Sequence, residues 1–134
     1  DDGLVLAVAN ALRGEVYAAA YRFGVDRVVT ELAPSVRRLD EVVHAAFRPT
    51  VVVGEAPPEI AAALADWAGQ PVIGPPAGAP HAAQLLTLVG RAGGASRVDN
   101  VPAWEPVYGR PAEAQARWEM AHGRRLPDSV GSPR

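Results

Sequence analysis

At 134 residues the chain is long enough for one domain that buries about two-thirds of its unfolded surface. Its 49% hydrophobic and 21% charged residues exclude a largely disordered chain, and 13 basic against 15 acidic residues, a net charge of −2, exclude a broad basic field for sequence-independent nucleic-acid binding. The lack of cysteine excludes disulfide and thiolate chemistry, and the apolar runs fall far short of the ~18 residues of a membrane helix, with no signal peptide at the start, so a cytoplasmic protein is expected.

Leu4 to Ala9 is a short apolar run, and after Asn10-Ala11-Leu12-Arg13-Gly14 a second run, Glu15 to Phe23, alternates as a strand does. The alternation places Tyr17, Ala19, Tyr21 and Phe23 on one face, read as the inward one. Gly24 and Asp26 mark a turn before a valine-rich third strand, Arg27 to Leu32, so the chain opens as an antiparallel meander. Ser35 reads as a helix N-cap, with Val36, Leu39, Val43 and Phe47 on the apolar stripe and Arg37, Arg38, Asp40 and Glu41 turned outward.

Thr50 to Val53 reads as a buried strand ended by Gly54. Pro57-Pro58 opens a helix along which Ile60, Leu64 and Ala68 align, and Gly69 stops it. Val72-Ile73 is a minimal strand, and 74–80 is a loop. Ala82 to Val89 reads as a helix apolar on nearly every side, which predicts burial. Gly93-Gly94 breaks that pattern, Trp104 to Tyr108 reads as extended, and Pro111 opens a last helix closed by Gly123. Strands first, then helices alternating with short strands, predict an α/β fold: a mixed sheet that opens with the antiparallel meander, with helices packed on it. The expected organisation is a single lobe over 1–126 and a flexible tail over 127–134, and the start at Asp1-Asp2 without an initiator methionine points to a piece of a longer protein.

The side chains that carry chemistry are scattered. His44, His81 and His122 form no ligand-type spacing with one another or with a carboxylate cluster, so no metal or other cofactor is expected. His44 belongs on a solvent-facing helix side, and His122 belongs in a last helical turn, at the negative end of the dipole. No serine sits in a nucleophile elbow, and the Gly74 to Gly78 and Gly93-Gly94 pieces match neither phosphate-binding loop, since prolines remove the N–H groups such a loop needs. Among the carboxylates, Glu55 stands out by position alone, at a strand end of the kind that hosts sites in α/β sheets; a small hydrolase or acyl-transfer enzyme using it is the alternative reading. Trp104, Tyr108 and Trp118 are candidate anchors of a protein interface, against the plainer role of covering the edge of the lobe's own core.

Three segments look familiar. Leu4 to Tyr21, LVLAVANALRGEVYAAAY, resembles the TsaB (YeaZ) family segment in which an apolar strand is followed by Asp-Ala-Arg-x-Gly-Glu-Val-Tyr and a second strand. Gly14-Glu15-Val16-Tyr17 matches residue by residue, whereas Asn10 stands where the family usually has Asp and Leu12 where it usually has Arg. Glu105-Pro106-Val107-Tyr108-Gly109-Arg110 resembles the family's Pro-x-Tyr-Leu-Arg motif, with Gly109 in place of Leu, and Val51 to Glu55 resembles its mid-lobe strand and glycine turn. The motif positions are thus Asn10, Gly14, Glu15, Tyr17, Pro106, Tyr108 and Arg110.

The resemblance implies the second lobe of an actin-like, ASKHA fold. It further implies a non-catalytic subunit of the complex that makes threonylcarbamoyladenosine on tRNA, beside the anticodon. Its partners would be a TsaD-like catalytic subunit, which carries the transferase activity, and a TsaE-like ATPase, and contact with tRNA would be indirect. In that family the first lobe carries the helices that pair with TsaD. A sheet edge left open by a missing lobe would allow a homodimer.

Overall fold

The computed structural model describes residues 3–106 and 113–124. The chain divides into two compact units, Asp1–Ser96 and Arg97–Arg134, and each is described by itself.

The first unit is built on a five-stranded sheet: β1 (Gly3–Asn10), β2 (Glu15–Phe23), β3 (Val28–Arg38), β4 (Val51–Glu55) and β5 (Val72–Ile73). Their order across the sheet is β3-β2-β1-β4-β5. The first three strands pair antiparallel, as the meander predicts, while β4 joins β1 and β5 joins β4 in parallel. The parallel joints need crossovers, supplied by α1 (Leu39–Val43) between β3 and β4 and by α2 (Pro58–Ala68) between β4 and β5. The α/β class and mixed sheet are therefore those read from the pattern.

Strand β1 lies in the middle, with Leu6 opposite Ala20 on one side and Val52 on the other. Leu4, Leu6 and Val8 point to one face, where they meet Val16, Ala18 and Ala20 of β2, Val52 of β4, Val42 of α1, and Ile60 and Leu64 of α2. Leu6, Val16, Ala20, Val52 and Leu64 are wholly excluded from solvent. Helix α2 forms where expected. Proline at its first turn loses no hydrogen bond there, and Gly69 takes a left-handed conformation (φ 73°) just past its end, donating its N–H to the Ala65 carbonyl oxygen. Phe47 and Trp67 meet edge to face at the rim of this core, ring centroids 6.0 Å apart, with the Arg48 guanidinium 5.0 Å from the Trp67 ring centre.

Three expectations are corrected. Tyr17 does not begin the inward face of β2: the alternate residues Val16, Ala18 and Ala20 are buried, and Tyr17 is 36% exposed. Both alternating sets of β2 are apolar, so the period reveals two faces without saying which one the helices cover. The helix expected from Ser35 is strand as far as Arg38, paired with β2 at Ala18↔Ser35, Tyr17↔Val36, Val16↔Arg37 and Glu15↔Arg38. Pro34 is accommodated because β3 is an edge strand and its register with β2 shifts between Ala18 and Ala20. Only the five residues Leu39–Val43 are left to form α1. Lastly, Ala82 to Val89 is not a buried helix. It forms a single α-turn (Ala82–Leu85) and a 3₁₀ turn (Leu86–Leu88), with Leu85, Leu86 and Val89 each more than 60% exposed. The segment that follows returns to the sheet, where the Val28 N–H donates to the Ala92 carbonyl and the Ala92 N–H to the Asp26 carbonyl.

The second unit contains a 3₁₀ turn at Val101–Ala103 and a helix, α3 (Glu113–His122), followed by Gly123 with a left-handed φ of 62°. The helix stop at Gly123 is the one read from the sequence. The expected opening proline, Pro111, and the tail at 127–134 lie outside the described residues. Among the described residues no helix is long and apolar enough to cross a membrane.

Two measurements test this account of the core. Leu64→Ala should lower the unfolding free energy by about 3 kcal/mol, as a leucine-to-alanine cavity does, while Leu85→Ala should change it by less than about 0.5 kcal/mol; equal urea midpoints for the two variants would overturn the placement. Burial raises the Tyr21 phenol above its ordinary pKa of 10.0. The folded chain then holds that proton more tightly than the unfolded chain, so stability declines as pH rises above 10.0. Tyr21→Phe should remove that contribution, seen as a flatter alkaline stability profile in thermal unfolding.

Candidate functional site

The motif residues nearest the start of the chain gather at the β1–β2 hairpin. Asn10 ends β1 and Glu15 begins β2, with Ala11 to Gly14 between them. The Ala11 N–H donates to the Glu15 carbonyl and the Glu15 N–H to the Leu12 carbonyl, which closes the turn. The Asn10 side-chain oxygen accepts the Leu12 N–H at 2.9 Å, an Asx-type contact that holds the first corner. A carboxylate oxygen at this position would accept the same bond.

The turn has a conformational cost. Leu12, Arg13 and Gly14 all have positive φ, at 66°, 55° and 78°. Glycine takes such values freely, and Gly14 meets that need. For Leu12 and Arg13 the left-handed region is strained by about 1–3 kcal/mol each. The Leu12 side chain is also 65% exposed, although leucine is ordinarily a core residue.

An open cleft of about 650 Å³ lies beside the turn, lined by Arg13, Gly14 and Glu15 from the hairpin and by Arg38, Leu39 and Asp40 from the junction of β3 with α1. The two segments meet because β2 and β3 pair to their ends, with Glu15 opposite Arg38. The Arg38 guanidinium is held by the Asp40 carboxylate through two bonds of 3.1 and 2.7 Å, and the Arg38 N–H reaches Glu41 Oε2 at 3.3 Å. With two arginines and two carboxylates the lining is balanced in charge. The sequence alone places Arg38 and Asp40 as solvent-facing residues of a longer helix and does not single out Arg13. Their gathering depends on the pairing of β3 beyond Pro34, for which the local sequence carries no signal.

The carboxyl ends of the parallel strands β1 and β4 adjoin this hairpin, with Glu55 opposite Ala9. Gly54 precedes it with φ 123°, and a Cβ there would collide with the Val8 carbonyl oxygen, so the two backbones approach as only glycine permits. Glu55 is exposed. Among the described residues no group of three or more His, Asp or Glu side chains is arranged to hold a metal ion.

The other motif residues lie in the second unit. Pro106 is exposed and outside any helix or strand, and Tyr108 and Arg110 lie outside the described residues. Trp104 is 59% exposed. Trp118 stacks on His122, ring centroids 4.2 Å apart, with the Arg124 guanidinium 5.5 Å from its ring centre. The His122 Nδ1 lies 2.8 Å from the Trp118 carbonyl oxygen, as expected for a histidine in the last turn of a helix. His44, on α1's C-terminal side, makes the same contact with the Asp40 carbonyl at 2.7 Å. No ring contact joins Trp104 to Trp118 among the described residues.

No family model, curated protein sequence or solved structure matches this chain.

The Asx contact at the hairpin is directly testable. Asn10→Ala should cost about 1 kcal/mol of stability, the usual net worth of one such bond, and Asn10→Asp should retain it; equal denaturation midpoints for all three proteins would count against the contact.

Proposed function

We propose that the chain is a non-catalytic scaffold module of TsaB type, a lobe of the partner subunit in the complex that places threonylcarbamoyladenosine on tRNA. The carrying observation is the Gly14-Glu15-Val16-Tyr17 segment. In it a glycine turn with positive φ feeds a strand, as the resemblance implies, with Val16 and not Tyr17 buried in the core. The mixed sheet, an antiparallel meander continued by parallel strands with helices in the crossovers, is compatible with the second lobe of an ASKHA fold. In this reading the transfer chemistry belongs to a TsaD-like partner, a TsaE-like ATPase completes the set, tRNA is met through those partners, and the work is done in the cytoplasm.

A second reading, a hydrolase or acyl-transfer enzyme, is favoured by one observation. Glu55 sits at the carboxyl ends of parallel strands, where ligands of open α/β sheets commonly bind, an argument from fold-level analogy.

The two readings separate in one experiment. Retention of a purified TsaD-type protein should be measured for this chain and for the same chain extended by the first lobe of a TsaB-type protein. The scaffold reading expects retention by the extended form at least, with Glu55→Gln leaving it unchanged. Retention by neither form would overturn it. Turnover of an ester or acyl-adenylate that vanishes in Glu55→Gln would establish the enzyme instead.

A further inference from the structure

The tip of the β1–β2 hairpin combines three features that the fold does not need. Leu12 and Arg13 occupy left-handed backbone that glycine or asparagine would fill without strain. Leu12 exposes most of a large apolar side chain. Arg13 is exposed and, among the described residues, is the one arginine that makes no hydrogen bond, ion pair or ring contact, whereas the others are held by carboxylates, carbonyls, hydroxyls or aromatic rings or are otherwise engaged. The strained backbone thus sets an apolar knob beside an unmatched cation, and that cation lines the cleft.

We propose that this hairpin tip and its cleft are a docking surface for a protein partner that offers an apolar pocket for Leu12 and a carboxylate for Arg13. The arrangement has the anatomy of an interface, an apolar anchor beside charged groups that close around it. The charge balance of the cleft selects the occupant. Glu15 and Asp40 line it together with Arg13 and Arg38, so the phosphates of a nucleic acid would meet as many carboxylates as guanidiniums. A protein segment of mixed character suits that lining, with a carboxylate aimed at Arg13 and neutral or basic groups near Asp40. The proposal rests on the scaffold reading for the partner's identity and deepens it, since the surface lies on this lobe and would be a contact additional to the one expected from a first lobe.

The test is a backbone-amide NMR titration of this chain with a purified TsaD-type protein, with thermal unfolding of each variant alongside. Shifts should concentrate at 11–15 and 38–40. Arg13→Glu should weaken binding by roughly tenfold, as loss of an interface anchor does. Leu12→Gly relieves the backbone strain while removing the knob, so it should raise Tm by about 4 °C and still weaken binding by roughly tenfold. A merely structural role for Leu12 would move stability and leave affinity alone. Shifts elsewhere, affinities that ignore both variants, or no binding by this chain would overturn the surface. The scaffold reading would survive those results if the form extended by a first lobe still retained the partner, and would fall with the surface if it did not.

Discussion

Strand β1 has a partner on each side, and the arrangement of the first unit follows from satisfying both. A buried strand must pair its N–H and C=O groups in both directions, because an unpaired backbone group away from water costs about as much as a lost hydrogen bond. Strand β2 meets one side by turning straight back through a short hairpin, and β4 meets the other by arriving in parallel, which requires a crossover. The chain between β3 and β4 must therefore pass over a face of the sheet, and α1 lies in that passage with Val42 buried against the strands. Leu4, Leu6 and Val8 mark the face that the helices cover, and Gly54 allows β4 to approach Val8 closely enough to complete the pairing.

The same constraint explains the geometry of the candidate site. An antiparallel β2 places Val16, its second residue, opposite Asn10, the last residue of β1, and pairing of β3 with β2 to its end brings Arg38 opposite Glu15. The hairpin tip and the start of α1 thus become neighbours although more than twenty residues separate them in sequence. The cleft lies at the edge of the ladder, where backbone pairing stops and side chains can face a ligand. Its polar lining is satisfied in part by Asp40 on Arg38. The tip itself is unlike the rest of the sheet: conformational strain and apolar exposure coincide there, and local conflicts of this kind are commonly found where a chain serves function over folding.

The second unit has a different character. Its helix carries no buried stripe among the described side chains, Met120 is 86% exposed, and Trp118 is engaged by the stacking of His122 and by the Arg124 guanidinium. Stacking of this kind orders an aromatic side chain locally. Of the candidate anchors Trp104, Tyr108 and Trp118, Tyr108 lies outside the described residues.

Much of this protein was determined by the sequence alone, wherever the information is local. A short apolar run drew β1 and alternation drew β2 with their ends nearly correct, and the proline and glycine pair bounded α2. Tertiary structure decided what depends on pairing at a distance. Residues 35–38 satisfy a helical period and a strand equally well, and only hydrogen bonds to β2 chose the strand. Both faces of β2 are apolar, and only the position of α1 and α2 buried Val16 in place of Tyr17. The apolar run at Ala82 to Val89 predicted burial, but composition states a tendency to leave water and does not supply the surface that receives it. The cleft with Arg13, Arg38 and Asp40 was invisible for the same reason: it is a product of strand register, and register is settled by the whole sheet.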